Sequence, residues 1–174
     1  MDAMTIETLD VSPEFDFFYY AAISNENRFE QDLMEEMQPR WRAWREHLKA
    51  YRLTNPKGGA SFLLAFLDKP VEDEIEGIWQ DSPTFGMAFH NLAITMVMTV
   101  ARDLVPEVEA QGCAPLPKPG QAAQEAFGAV GLTWNPEGSA SRQYAVFTPY
   151  PYAGGCEICH LEAECPKRKE MLGQ

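Results

Sequence analysis

The chain has 174 residues, 45% of them hydrophobic and 11% aromatic, which suits one domain whose core needs no metal to fold. Its 26 acidic against 14 basic side chains give a formal charge of −12, a sign that repels phosphate backbones and anionic bilayers and so excludes nucleic acid and membrane surfaces as expected partners. The start Met1-Asp2-Ala3-Met4-Thr5 carries neither a basic n-region nor an apolar h-region, so a cytoplasmic, reducing compartment is expected, where cysteines serve more often as metal ligands or buried thiols than as disulfides.

Ser12-Pro13-Glu14 reads as an N-cap, a proline at the first helical position and a dipole-favoured acid, which predicts a helix carrying Phe15, Phe18, Tyr19, Ala22 and Ile23 on one face. From Asn25 the series Phe29, Leu33, Met37, Trp41, Trp44, Leu48 and Tyr51 advances in threes and fours. That pattern predicts a second, longer helix, kinked or divided at Pro39, with acids at its start and bases at its end. Asn55-Pro56-Lys57-Gly58-Gly59 is a turn and not a phosphate loop, because it lacks the wider glycine spacing and the Lys-Ser/Thr pair. Ser61 to Leu67 and Pro70 to Gln80 read as two short helices, the second turning Val71, Ile75, Ile78 and Trp79 inward. Ser82-Pro83 opens the most apolar helix, about Thr84 to Leu104, expected to lie buried at the centre. His90, Asn91, Thr95 and Thr99 interrupt it too often for a membrane span.

After Pro106 the composition shifts. A proline-punctuated loop, Cys113 to Gly120, leads into a helix over Gln121 to Phe127. Gly131 to Trp134 and Gln143 to Phe147 read as strands of a hairpin closed by Asn135-Pro136-Glu137-Gly138-Ser139. The expected fold class is therefore an α-rich α+β domain over 1–174. It has a helical part (1–105) with a central buried helix, then a part (106–174) holding a loop, a short antiparallel β-hairpin and a cysteine-bearing C-terminal lobe.

The chemistry concentrates in that lobe. Cys156, Cys159 and Cys165 follow C-x2-C-x5-C spacing, and Cys113 is the only other cysteine, so the proposed ligand set Cys113, Cys156, Cys159 and Cys165 uses every thiol in the chain. Four soft thiolates saturate a tetrahedral zinc or cap a four-iron cubane. The glycines Gly154 and Gly155, the compact three-cysteine run and Pro166 after Cys165 favour a [4Fe-4S] cluster. Zinc is the alternative cofactor, although only Cys156 and Cys159 form a knuckle; His160 could replace one thiolate. A third reading takes Cys156-Glu-Ile-Cys159-His160 as a covalent c-type haem site with His160 as axial ligand, an attachment made outside the cytoplasm.

One remote cysteine plus a tight run of three is similar to the cluster pattern of RecB-type nucleases. The resemblance covers the four cysteines alone: the paired acids and the Glu-x-Lys of such nucleases have no counterpart, and the negative charge opposes DNA, so it implies a cluster and not the nuclease activity. A di-iron bundle is excluded because the one Glu-x-x-His spacing, Glu157 to His160, lies inside the cysteine array. Four thiolates leave no open iron, and no nucleotide or flavin motif is present. Electron transfer or redox sensing is expected, with a protein redox or docking partner and no assigned catalytic residue. His90 reads as a hydrogen-bonded core histidine, and Tyr144, Phe147, Tyr150 and Tyr152 as packing that could shield a cluster from water.

Overall fold

Strands β1 (Thr5–Thr8), β2 (Leu48–Thr54), β3 (Phe62–Leu67) and β4 (Ala145–Pro149) form one antiparallel sheet in that order. The computed structural model describes residues 2–173. Its helices are α1 (Phe17–Ser24), α2 (Gln31–Trp44), α3 (Lys69–Asp81), α4 (Pro83–Leu104), α5 (Glu107–Gln111), α6 (Gln121–Ala129) and α7 (Pro166–Met171). The α+β class and the long central helix are as expected. The sheet is larger than a hairpin, and three of its strands lie in the part read as helical.

β3 was expected to be a helix. Its six residues are apolar without alternation because both faces are covered: Leu63, Ala65 and Leu67 join the core under α1 to α4, while Leu64 and Phe66 join a second core under α6. A strand buried on both faces loses the period of two that would reveal it. β2 corrects the long helix in the same way. α2 ends at Trp44, a 3₁₀ turn follows at Arg45–His47, and from Leu48 the side chains alternate, Leu48 and Ala50 to one core and Tyr51 and Leu53 to the other. Pro39 lies inside α2, which runs through it.

The first helix starts later than Ser12-Pro13 suggests. Asp16 is the N-cap of α1, accepting hydrogen bonds from the backbone N–H groups of Phe18 (2.9 Å) and Tyr19 (3.1 Å). Pro13 serves α2 instead, its carbonyl accepting from Trp41 Nε1 (2.9 Å) and Arg45 Nε (3.0 Å). The expected 131–147 hairpin shrinks to one bridge, Trp134 to Ala140, while Ala145 to Pro149 leaves it to pair with β3.

α4 is the core helix that its composition demands. Ser82 Oγ caps it by accepting from Phe85 N–H (3.3 Å), and Phe89, Leu92, Ala93, Met96 and Ala101 are fully buried. By length and composition α4 could cross a membrane, but most of its apolar stretch is packed inside the protein. Its polar interruptions are satisfied locally: the hydroxyls of Thr95 and Thr99 donate to the carbonyls of Asn91 and Thr95 at 2.7 Å. Trp44 meets Phe89 edge to face at 6.4 Å between ring centroids. Gly86 sets the approach of α3, since a Cβ there would stand 2.8 Å from Trp79 Cα.

His90 on α4 donates to or accepts from the Tyr144 hydroxyl at 3.0 Å, and burial holds its imidazole below the ordinary 6.5. Above pH 6.5 both folded and unfolded chains carry it neutral. As pH falls, the unfolded chain takes the proton first, so stability drops from 6.5 down to the lower folded value and then levels. Urea midpoints measured across this range should fall with acid in the wild type, and the His90→Gln variant should lose that part of the slope.

Candidate metal centre

The cysteine lobe is assembled from two short pieces of irregular backbone. α5 ends at Gly112, whose left-handed φ of 72° turns the chain so that Cys113 enters the proline loop. The tail makes a 3₁₀ turn at Cys156–Ile158, a second at Glu162–Glu164, and then α7, with Cys165 in the N-cap position and Pro166 starting the helix. Gly154, at φ 75°, is needed where it stands, because a Cβ would fall 2.7 Å from the side chain of Ile158.

Loop and tail are tied through Gly112 and Leu116. Leu116 donates its backbone N–H to Cys159 Sγ at 3.5 Å and accepts from the backbone N–H of His160 at 2.9 Å. The Lys167 ammonium donates to the Gly112 carbonyl, beside Cys113. The His160 ring faces two carbonyl oxygens, that of Leu116 from Nδ1 at 3.0 Å and that of Gly138 from Nε2 at 3.1 Å. A neutral imidazole can donate to only one of these carbonyls, and a metal at either nitrogen would have to displace the carbonyl that stands there. Sequence reasoning missed this role, since neither Leu116 nor Gly138 carries a side-chain signal for it.

All four cysteines are free thiols of intermediate exposure. Cys113 is pushed above the ordinary thiol value first by burial; Lys167 works against that, and Cys156, Cys159 and Cys165 each add to it as neighbouring charges. The structure thus brings the remote thiol into the neighbourhood of the other three. It does not close them into a ligand cage: among the described residues, no three His, Cys, Asp or Glu side chains form a group that could hold a metal ion. Tyr152 borders the same space, its hydroxyl pushed up by burial and then by Cys113 and Cys156. Tyr144 and Phe147 do not; they pack in the two cores of the sheet.

None of the four thiols is consumed in a disulfide, and four soft donors are the number a thiolate-bound centre needs, but as they stand here they do not converge on one point. The amide hydrogen bond to Cys159 Sγ is the kind of contact that orients a ligating sulfur and tunes the metal it holds. No protein-family model, curated protein or solved structure matches this chain.

Proposed function

We propose that Cys113, Cys156, Cys159 and Cys165 hold one [4Fe-4S] cluster, and that the protein works in electron transfer or redox sensing in the cytoplasm, docking to a protein partner. The observation that carries this reading is the tie between the Cys113 loop and the tail: Leu116, three residues after Cys113, donates its N–H to Cys159 Sγ at 3.5 Å, and Lys167, two residues after Cys165, reaches the Gly112 carbonyl beside Cys113. When bound, such a cluster supplies one-electron exchange with no open coordination site. The chain's own part is to bring four thiolates together, donate the Leu116 N–H to Cys159, set the Lys167 charge beside Cys113 and limit water with Tyr152. The surface charge of −12 suits a basic docking partner.

The haem reading and mixed Cys/His zinc ligation are the less favoured, because a backbone carbonyl stands about 3 Å from each ring nitrogen of His160, at 3.0 Å from Nδ1 and 3.1 Å from Nε2, where a metal would have to sit. An all-cysteine zinc site remains the competing outcome. Anaerobically purified protein should be brown, absorb near 400 nm and bleach on reduction with dithionite. His160→Ala should keep its metal content and most of that absorbance, although the tail loosens. Colourless protein carrying one zinc per chain, or a His160→Ala variant that arrives metal-free, would overturn the assignment.

A further inference from the structure

We propose that the outer face of α1 is the surface on which a protein partner docks, and that it takes a basic amphipathic helix whose apolar side chains cover Phe18. This rests on the reading that the protein docks to a basic partner, and not on the cluster, since no cysteine lines the groove beside that face. α1 carries no charged side chain along Phe17–Ser24 and is apolar around its whole circumference, the composition of a helix that is covered on every side. Its inner side is covered: Tyr20 is buried and donates its hydroxyl to the Ala88 carbonyl of α4 at 3.3 Å. Its outer side is not. Phe18 and Ala22, one turn apart, face solvent, and Phe18 is 84% exposed. Phe18 borders an open groove of about 680 Å³ that Phe15 and Phe17 also line, and an aromatic side chain beside a groove is the kind of anchor on which interfaces concentrate their energy.

The rim sets the sign of the partner. Glu14, Asp16 and Asp103 line the groove against one cation, Arg102. That cation is already engaged: its guanidinium faces Asp16 at 3.5 Å and Asp103 at 3.9 Å and lies 4.2 Å from the centre of the Tyr19 ring. Three carboxylates against one guanidinium leave an excess of two negative charges, which lysine or arginine side chains of a partner would meet. A second copy of this chain is the wrong occupant, because a two-fold contact would set Glu14 and Asp103 against their counterparts between molecules each of charge −12. A helix with leucines along one side and lysines flanking them matches both the exposed ring and the acidic rim.

Fluorescence anisotropy of a labelled amphipathic Leu/Lys helical peptide, titrated with the full-length protein, tests this beside two control peptides, one with every lysine changed to glutamate and one with every leucine changed to serine. The Leu/Lys peptide should bind one per chain and more weakly as salt is added, and the controls should bind at least about ten-fold more weakly. Phe18→Ser and, independently, Ala22→Lys should each weaken the Leu/Lys peptide at least about ten-fold. Both positions are exposed, so melting temperature and metal content should match the wild type, which separates failure here from failure of the metal centre. Glu14→Gln with Asp103→Asn should weaken binding at least about three-fold, whereas the same loss of charge at exposed positions on the α6 side of the sheet, Glu125→Gln with Glu137→Gln, should leave it within about two-fold. No binding, equal losses from the two charge pairs, binding that Phe18→Ser leaves intact, or comparable binding of the serine peptide would overturn the proposal. So would a dimer of the protein alone, or its attachment to phosphatidylcholine vesicles, that Phe18→Ser abolishes.

Discussion

Leu92→Ala is expected to destabilise the protein by about 2–5 kcal/mol, the loss associated with removing a fully buried leucine and leaving part of its volume empty. Leu92 sits in the middle of α4, which packs against α1, α2, α3 and the sheet, so no flexible neighbour stands ready to fill the gap. For a chain of this size the melting temperature should fall by roughly 4–20 °C. Thermal unfolding followed by circular dichroism measures this. An unchanged midpoint would mean that α4 is not the helix on which the core is built.

Cys113→Ala should have the largest effect on the proposed centre, with loss of the intact cluster and its absorbance, while the fold keeps its melting behaviour to within a small shift. Only Cys113 comes from outside the tail, and removing it leaves three thiolates where four are required. The two buried cores hold the sheet and helices without any cysteine side chain, which is why the fold should survive. Iron content and visible spectra of the anaerobically purified variant give the result. Full iron and an unaltered spectrum would remove Cys113 from the ligand set.

How far the sequence carried depends on how each element is buried. α3 and α4 were legible because each opens on a proline in its first turn and carries spaced apolar residues, with Ser82 capping α4, and the long apolar run of α4, interrupted by His90, Asn91, Thr95 and Thr99, already read as a buried core helix. β3 was not, because Phe62 to Leu67 is apolar on both faces and a run of that length has no period to read. β2 was hidden by chance: Trp44, Leu48 and Tyr51 continue a helical spacing into residues that alternate as a strand. β1, four mostly exposed residues of mixed character, left no pattern to read, and it forms because Ile6 and its neighbours pair with β2.

At the candidate site the residue types were legible and the contacts were not. The spacing of Cys156, Cys159 and Cys165 with one remote Cys113 is a statement of composition that survives any fold. The meeting of loop and tail depends on the turn at Gly112, the Leu116 backbone and the Lys167 ammonium, groups whose roles are set by tertiary placement. The two carbonyls that face His160 belong to residues 22 and 44 positions away, a separation no local pattern encodes.

The central claim is that four thiolates hold one iron–sulfur cluster, and its most direct measurement is the iron, acid-labile sulfide and zinc content of the full-length protein purified without oxygen. About four irons and about four sulfides per chain, with negligible zinc, is the result predicted. One zinc per chain with neither iron nor sulfide, or a protein free of all three, would contradict it.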